Sequence, residues 1–186
     1  LQTAVDLWVD DNASALTTYG EINTWDVSLI TDMSNLFNGK SEFNEDLSNW
    51  NVSNVTNMAL MFFGASSFNS DLSNWDVSNV TNMSAMFKLA SSFNQDVSGW
   101  DVSLVNRMTD MFLNAESLSE SNKRLIHESF SSNSNWPYLW GDGEPHEPGD
   151  GNGDGNETME PVDGGTGSGG GNEGTDPEDI NETVEP

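Results

Sequence analysis

The sequence predicts an α/β solenoid of about four 25-residue coils, closed by helical caps and followed by a disordered acidic tail. Three observations carry this reading. Trp25, Trp50, Trp75 and Trp100 lie 25 residues apart, and Val27, Val52, Val77 and Val102 follow them in register. Met33, Met58, Met83 and Met108, then Phe37, Phe62, Phe87 and Phe112, keep the same count. From Gly141 the composition changes: the last 46 residues hold 13 of the 17 glycines and 14 acidic residues, with no Lys or Arg. A fixed period of roughly 20–50 residues signals a solenoid, a propeller or an array.

Residues 1–20 stand outside the repeat. Leu1, Ala4, Val5 and Trp8 share one helical face, and Asp10-Asp11-Asn12 ends that helix. A solenoid exposes its first coil, so Leu1 to Val9 reads as the N-terminal cap. Residues 21–118 form the repeat. In the unit from Asp46 to Phe68, Leu47, Trp50 and Val52 suit a short strand with Trp50 and Val52 inward. The equivalent strands fall at 47–52, 72–77 and 97–102. Ser53-Asn54 is turn chemistry, and Thr56 is placed to cap a short helix from about Asn57 to Phe63. In that stretch Val55, Met58 and Phe62 recur at three- and four-residue spacing. One such unit cannot bury its apolar face alone; stacked units can, with paired strands about 4.8 Å apart and tryptophan over tryptophan. A propeller blade needs four strands per repeat and a two-helix repeat more than about 30 residues. The leucine-rich-repeat class, with one strand and one helical turn in about 20–29 residues, fits the period.

The string DLSNWDVSNVTNMSAMF within residues 68–87 resembles the repeat of the BspA-type leucine-rich repeat surface proteins, whose motif is close to FNQDLSNWDVSNVTNMSYMF. The same repeat is also described as a domain of unknown function first noticed in mycoplasmas. The resemblance runs over roughly residues 20–118. It implies a right-handed solenoid, a bacterial extracellular or surface-attached protein and no enzyme activity; related repeats occur in adhesins. Departures are small: Asn51 replaces Asp, Gly99 replaces Asn, and Leu104-Val105-Asn106-Arg107 replaces Asn-Val-Thr-Asn.

Residues 119–140 close the other end. Leu125 with Ser129, and Ile126 with Phe130, pair on a helix from about Glu120 to Phe130. The cluster Trp136, Pro137, Tyr138, Trp140 reads as an aromatic lid over the last coil, the capping that a terminal repeat needs. Residues 141–186 are too polar and glycine-rich to offset the entropy of ordering, and read as a linker or tail.

The net charge of −26 is shared between parts: residues 1–140 hold 17 acidic against five basic residues, leaving −12. Such a surface repels nucleic acid and anionic membranes and favours cations or basic partners. Zero cysteines exclude a disulfide scaffold, thiol catalysis and a cysteine zinc site. No stretch of ~20 apolar residues suggests insertion in a membrane. The chain begins with Leu1, as a processed product or a piece of a longer protein would. His127 and His146 lie in different regions, and no nucleophile elbow, phosphate loop or His-Glu-x-x-His is present, so no catalytic residue is predicted.

Two features suggest binding. Asp150, Asn152 and Asp154, with Gly155, match the first half of an EF-hand calcium loop, but position 12 is Pro161, with Glu160 one place short. No other cofactor is expected. Asp26, Asn51, Asp76 and Asp101 occupy one equivalent position and should form an outward column able to meet a basic partner. Asp46, Asp71 and Asp96 form another. Like charges about 5 Å apart repel, and Asx bonding to turn amides is the structural reason for tolerating them. Asn44, Asn69 and Asn94 read as a structural ladder. The function expected is a non-enzymatic, secreted or cell-surface interaction and adhesion module for a protein or other extracellular ligand. Its alternatives are a calcium-dependent adhesion module and an accessory region of a larger extracellular enzyme. Ligand identity and oligomeric state stay open.

Overall fold

A computed structural model of the protein describes residues 1–140. The predicted tail, residues 141–186, and its calcium candidates Asp150, Asn152 and Asp154 lie outside the described residues. The described residues form three α-helices, α1 Gln2–Asp10, α2 Asn12–Tyr19 and α3 Glu120–Phe130, with a 3₁₀ turn at Ile22–Thr24. No strand occurs among the described residues; three isolated parallel bridges join Asp32 to Asn57, Asn57 to Asn82, and Asn82 to Arg107. The protein is therefore not the right-handed α/β leucine-rich-repeat solenoid that the sequence predicts.

Side-chain chemistry explains the missing strands. Asp46 Oδ1 accepts from the Ser48 amide and Asn51 Oδ1 from the Ser53 amide. Between and after them, the Trp50 amide donates to Leu47 O and the Val55 amide to Val52 O. The backbone thus bends every few residues, and its amides are consumed locally instead of in a sheet ladder. The same bonds recur at Asp71 and Asp76, and at Asp96 and Asp101.

The helix expected at 57–63 is absent too. Leu60 has φ 61° and Gly64 φ 67°, and Asn35, Ala85 and Asp110 share the left-handed conformation of Leu60. A left-handed residue interrupts any right-handed helix. Amides alternate instead: those of Met58, Leu60, Phe62 and Gly64 donate to Asn82, Ser84, Met86 and Lys88 carbonyls at 2.9 Å. Met61 and Phe63 close three-residue turns onto Met58 and Leu60. The equivalent residues around Phe37 and Phe87 follow the same scheme, so adjacent 25-residue units are joined by backbone bonds between turns.

Those bonds line up an apolar interior. Trp50, Trp75 and Trp100 are buried, as the period predicts, together with Val52, Val55, Met58, Phe62, Phe68 and their equivalents, except the half-buried Ile30. The stacked column, however, is phenylalanine. Phe37, Phe62, Phe87 and Phe112 follow one another at 5.2, 5.6 and 5.5 Å with planes within 9° of parallel. A second column of Phe43, Phe68 and Phe93 runs beside it, 6.1 and 6.3 Å apart. Trp25 and Trp50 stack at 6.4 Å, but the interior tryptophans have another task. The indole N–H groups of Trp50, Trp75 and Trp100 donate to the Ile22, Leu47 and Leu72 carbonyls at 2.8–3.0 Å. Each satisfies a carbonyl of the preceding unit, which a phenylalanine could not do.

The edges are laddered by asparagine. Asn44 and Asn69 accept, through Oδ1, from the amides of Asn69 and Asn94, and Asn94 accepts from Ser119. Asn54 and Asn79 donate to the Ser28 and Ser53 carbonyls at 2.8 Å. At the next step the residue is Leu104, 56% exposed, and Ser78 O loses its equivalent donor. Leu104→Asn is expected to stabilise the protein by about 0.5–1.5 kcal/mol, the net value of one hydrogen bond. A chemical-denaturation midpoint that fails to rise would show that this ladder carries no stability.

The ends are closed differently. Val5 and Trp8 of α1 and Ala15 of α2 are buried against the first unit, and Lys40 pairs with Asp6 at 2.8 Å. The helix expected at Leu1 to Val9 is α1, and a second helix, α2, follows it within residues 1–20. Asp11 starts it by accepting from the Ser14 amide, and Gly20, at φ 74°, stops it. At the other end, Ser119 caps α3. Trp136, Tyr138 and Trp140 cover Phe112 with ring centroids 5.7–6.3 Å away.

Candidate interaction edge

Asp26, Asn51, Asp76 and Asp101 are all exposed and sit on one edge, brought together by the stacking of their units. Each ends a tryptophan's turn and begins an Asx turn: Oδ1 accepts from the amide two residues on, at 2.9–3.2 Å. The Ser28, Ser53 and Ser78 hydroxyls donate to the same oxygens at 2.6–2.7 Å. The Ser28 and Ser78 hydroxyls, then their amides, hold Asp26 and Asp76 below the usual carboxylate range. The Ser103 amide does the same for Asp101. The nearby Asp101 charge pushes Asp76 weakly the other way. All three aspartates are therefore ionised at neutral pH, and Oδ1 of each is the acceptor of its Asx turn. The structural role and the acidic surface coexist in the same residues.

Asp46, Asp71 and Asp96 are likewise exposed and accept from Ser48, Ser73 and Ser98. Among the described residues no group of three or more His, Asp or Glu side chains is placed to hold a metal ion. His127 accepts, through Nδ1, the Trp136 indole N–H at 3.0 Å, which gives it a place in the aromatic lid.

Each end of the Asp26–Asp101 column runs into a depression open to solvent. One, of about 300 Å³, lies beside Trp100, Asp101 and Ser103 and is bordered by Ser129, Ser132 and Asn133. The other, of about 330 Å³, is lined by Leu1, Ala4, Tyr19, Thr24, Trp25 and Asp26. Tyr19, Ser129 and Asn133 were invisible as site residues in the sequence because they belong to the caps, which break the period. No helix among the described residues is long and apolar enough to cross a membrane.

The stacked units and their edge fall within one recognised sequence family. Its model, described as a Mycoplasma protein of unknown function, DUF285, matches residues 9–124, more than half of the chain. No curated protein and no solved structure matches. The match takes in α2, all four tryptophan-centred units and the start of α3, and the chain belongs to the DUF285 family.

Proposed function

We propose that the protein is a non-enzymatic interaction module, secreted or displayed at a cell surface, whose acidic edge docks a basic segment of a partner protein. The observation that carries this reading is the column Asp26, Asp76 and Asp101. It holds ionised carboxylates in fixed orientation at one edge, each anchored by its Asx turn. Fixed charges of one sign steer a complementary partner and set its register. The resemblance of residues 68–87 to the BspA-type surface proteins supports the placement outside the cell and, within the family, the adhesive role.

Asn51 provides the control. It makes the same bonds to the Ser53 amide and hydroxyl as its aspartate neighbours make to theirs. Replacing Asp26, Asp76 and Asp101 together with Asn should therefore keep the turns and remove three charges. Thermal stability should be equal or higher, since repulsion along the column is relieved. Binding to immobilised extracellular-matrix proteins should weaken and lose most of its salt dependence. Undiminished binding at low ionic strength would remove this edge as the recognition surface.

A further inference from the structure

We propose that the depression between the N-terminal helices and the first unit is a binding pocket for one lysine or arginine side chain of a protein partner. The inference rests on the reading of the edge as a surface for a basic partner, and it names the place where a single cationic residue is anchored.

The walls of the 330 Å³ depression divide by chemistry. Tyr19 and Trp25 are aromatic, Leu1 and Ala4 aliphatic, Thr24 polar, and Asp26 acidic. Tyr19 is 44% exposed although it packs edge-on to Trp25 at 5.8 Å. Trp25 cannot turn away: its indole N–H donates to Gly20 O at 3.2 Å. Trp50 stacks on it at 6.4 Å, and Trp8 meets it edge-on at 5.8 Å. Gly20, whose positive φ of 74° stops α2, sets the turn that brings Tyr19 back against Trp25. Asp26 follows directly, its Oδ1 held by the Ser28 amide and hydroxyl at 3.0 and 2.6 Å.

Such a pocket selects by charge and shape. Aromatic faces carry negative potential and attract ammonium and guanidinium groups; the carboxylate adds a full charge beside them. The aliphatic wall suits the methylene stem of a long basic side chain. An anion would meet the Asp26 carboxylate, and a small hydrated metal ion would find only one carboxylate. Charge complementarity therefore commits the occupant to an organic cation. The position of Asp26, at the end of the acidic column, means that a basic segment lying along the edge would deliver that side chain at its first residue.

The test is a titration of the whole chain with N-acetyl-arginine amide and N-acetyl-lysine amide, with N-acetyl-norleucine amide as the uncharged control. The readouts are the NMR signals of the Trp25 indole N–H and the Tyr19 ring. Saturable shifts of both residues with the cations, and none with norleucine, are expected. Tyr19→Leu should weaken the arginine amide about two- to fivefold, the equivalent of an exposed cation–π contact, and Asp26→Asn should weaken it as well. The variant carrying Asp76→Asn and Asp101→Asn should bind the small cations normally while losing affinity for immobilised extracellular-matrix proteins, which separates failure of the pocket from failure of the edge. Absence of shifts, equal shifts with norleucine, or arginine binding indifferent to both Tyr19→Leu and Asp26→Asn would overturn the proposal.

Discussion

Trp75→Ala is expected to destabilise the protein by about 3–5 kcal/mol, the usual cost of truncating a large aromatic side chain in a core. Trp75 is 4% exposed and lies against Phe62 at 6.4 Å. Its indole N–H donates to Leu47 O at 3.0 Å, across to the preceding unit. Truncation thus opens a cavity and strips a donor from a carbonyl. Trp75→Phe separates the two effects, since it retains a ring but removes one of the two donors to Leu47 O, which keeps the Trp50 amide, at about 0.5–1.5 kcal/mol. Urea unfolding of both variants measures the split. A Trp75→Ala midpoint equal to that of the parent would contradict the packing described here; equal losses in both variants would show that the hydrogen bond outweighs the cavity.

Tyr138→Phe is expected to cost about 1–3 kcal/mol, although it removes one oxygen from a side chain outside the repeat. In the interior, the amides of Phe37, Phe62 and Phe87 donate to the Met61, Met86 and Met111 carbonyls at 2.8–2.9 Å. Phe112 has no following unit, and its amide donates instead to the Tyr138 hydroxyl at 2.8 Å. Burial pushes the Tyr138 phenol well above its ordinary range, so it stays protonated at neutral pH. Phenylalanine would retain the stacking on Trp140 at 4.4 Å and orphan only the Phe112 amide. A thermal melt distinguishes the cases: a clear fall marks Tyr138 as the backbone cap of the last unit, and an unchanged Tm would show that packing alone closes that end.

The period, the inward residues and helix α3 were legible in the sequence, because each is written by apolar spacing. The backbone conformation was not. Asx bonding by Asp46 and Asn51 was legible, but their columns were placed on a sheet, whereas the bonds to the Ser48 and Ser53 amides bend the backbone in place of a strand. Val55, Met58 and Phe62 share helical spacing, but Leu60, at φ 61°, forbids a helix there. A leucine announces no left-handed conformation, and the equivalent residues Asn35, Ala85 and Asp110 have no side-chain chemistry in common. Helix α2 was missed although Asp11, Ser14 and Gly20 mark its ends, because its face is weakly apolar and only Ala15 is buried. At the edge, the exposure of Asp26, Asp76 and Asp101 followed from the repeat, whereas the pocket beside Asp26 depends on the turn at Gly20, which lies outside it.

The central claim is that these 25-residue units are turns joined by backbone hydrogen bonds to the next unit, neither strands nor helices. NMR scalar coupling across the hydrogen bond tests it most directly, because it identifies the carbonyl to which each amide donates. Coupling is expected from the Phe62 amide to the Met86 carbonyl, and from the Phe87 amide to the Met111 carbonyl. Coupling from the Phe62 amide to the Met58 carbonyl, the i to i−4 pattern of an α-helix, would contradict it.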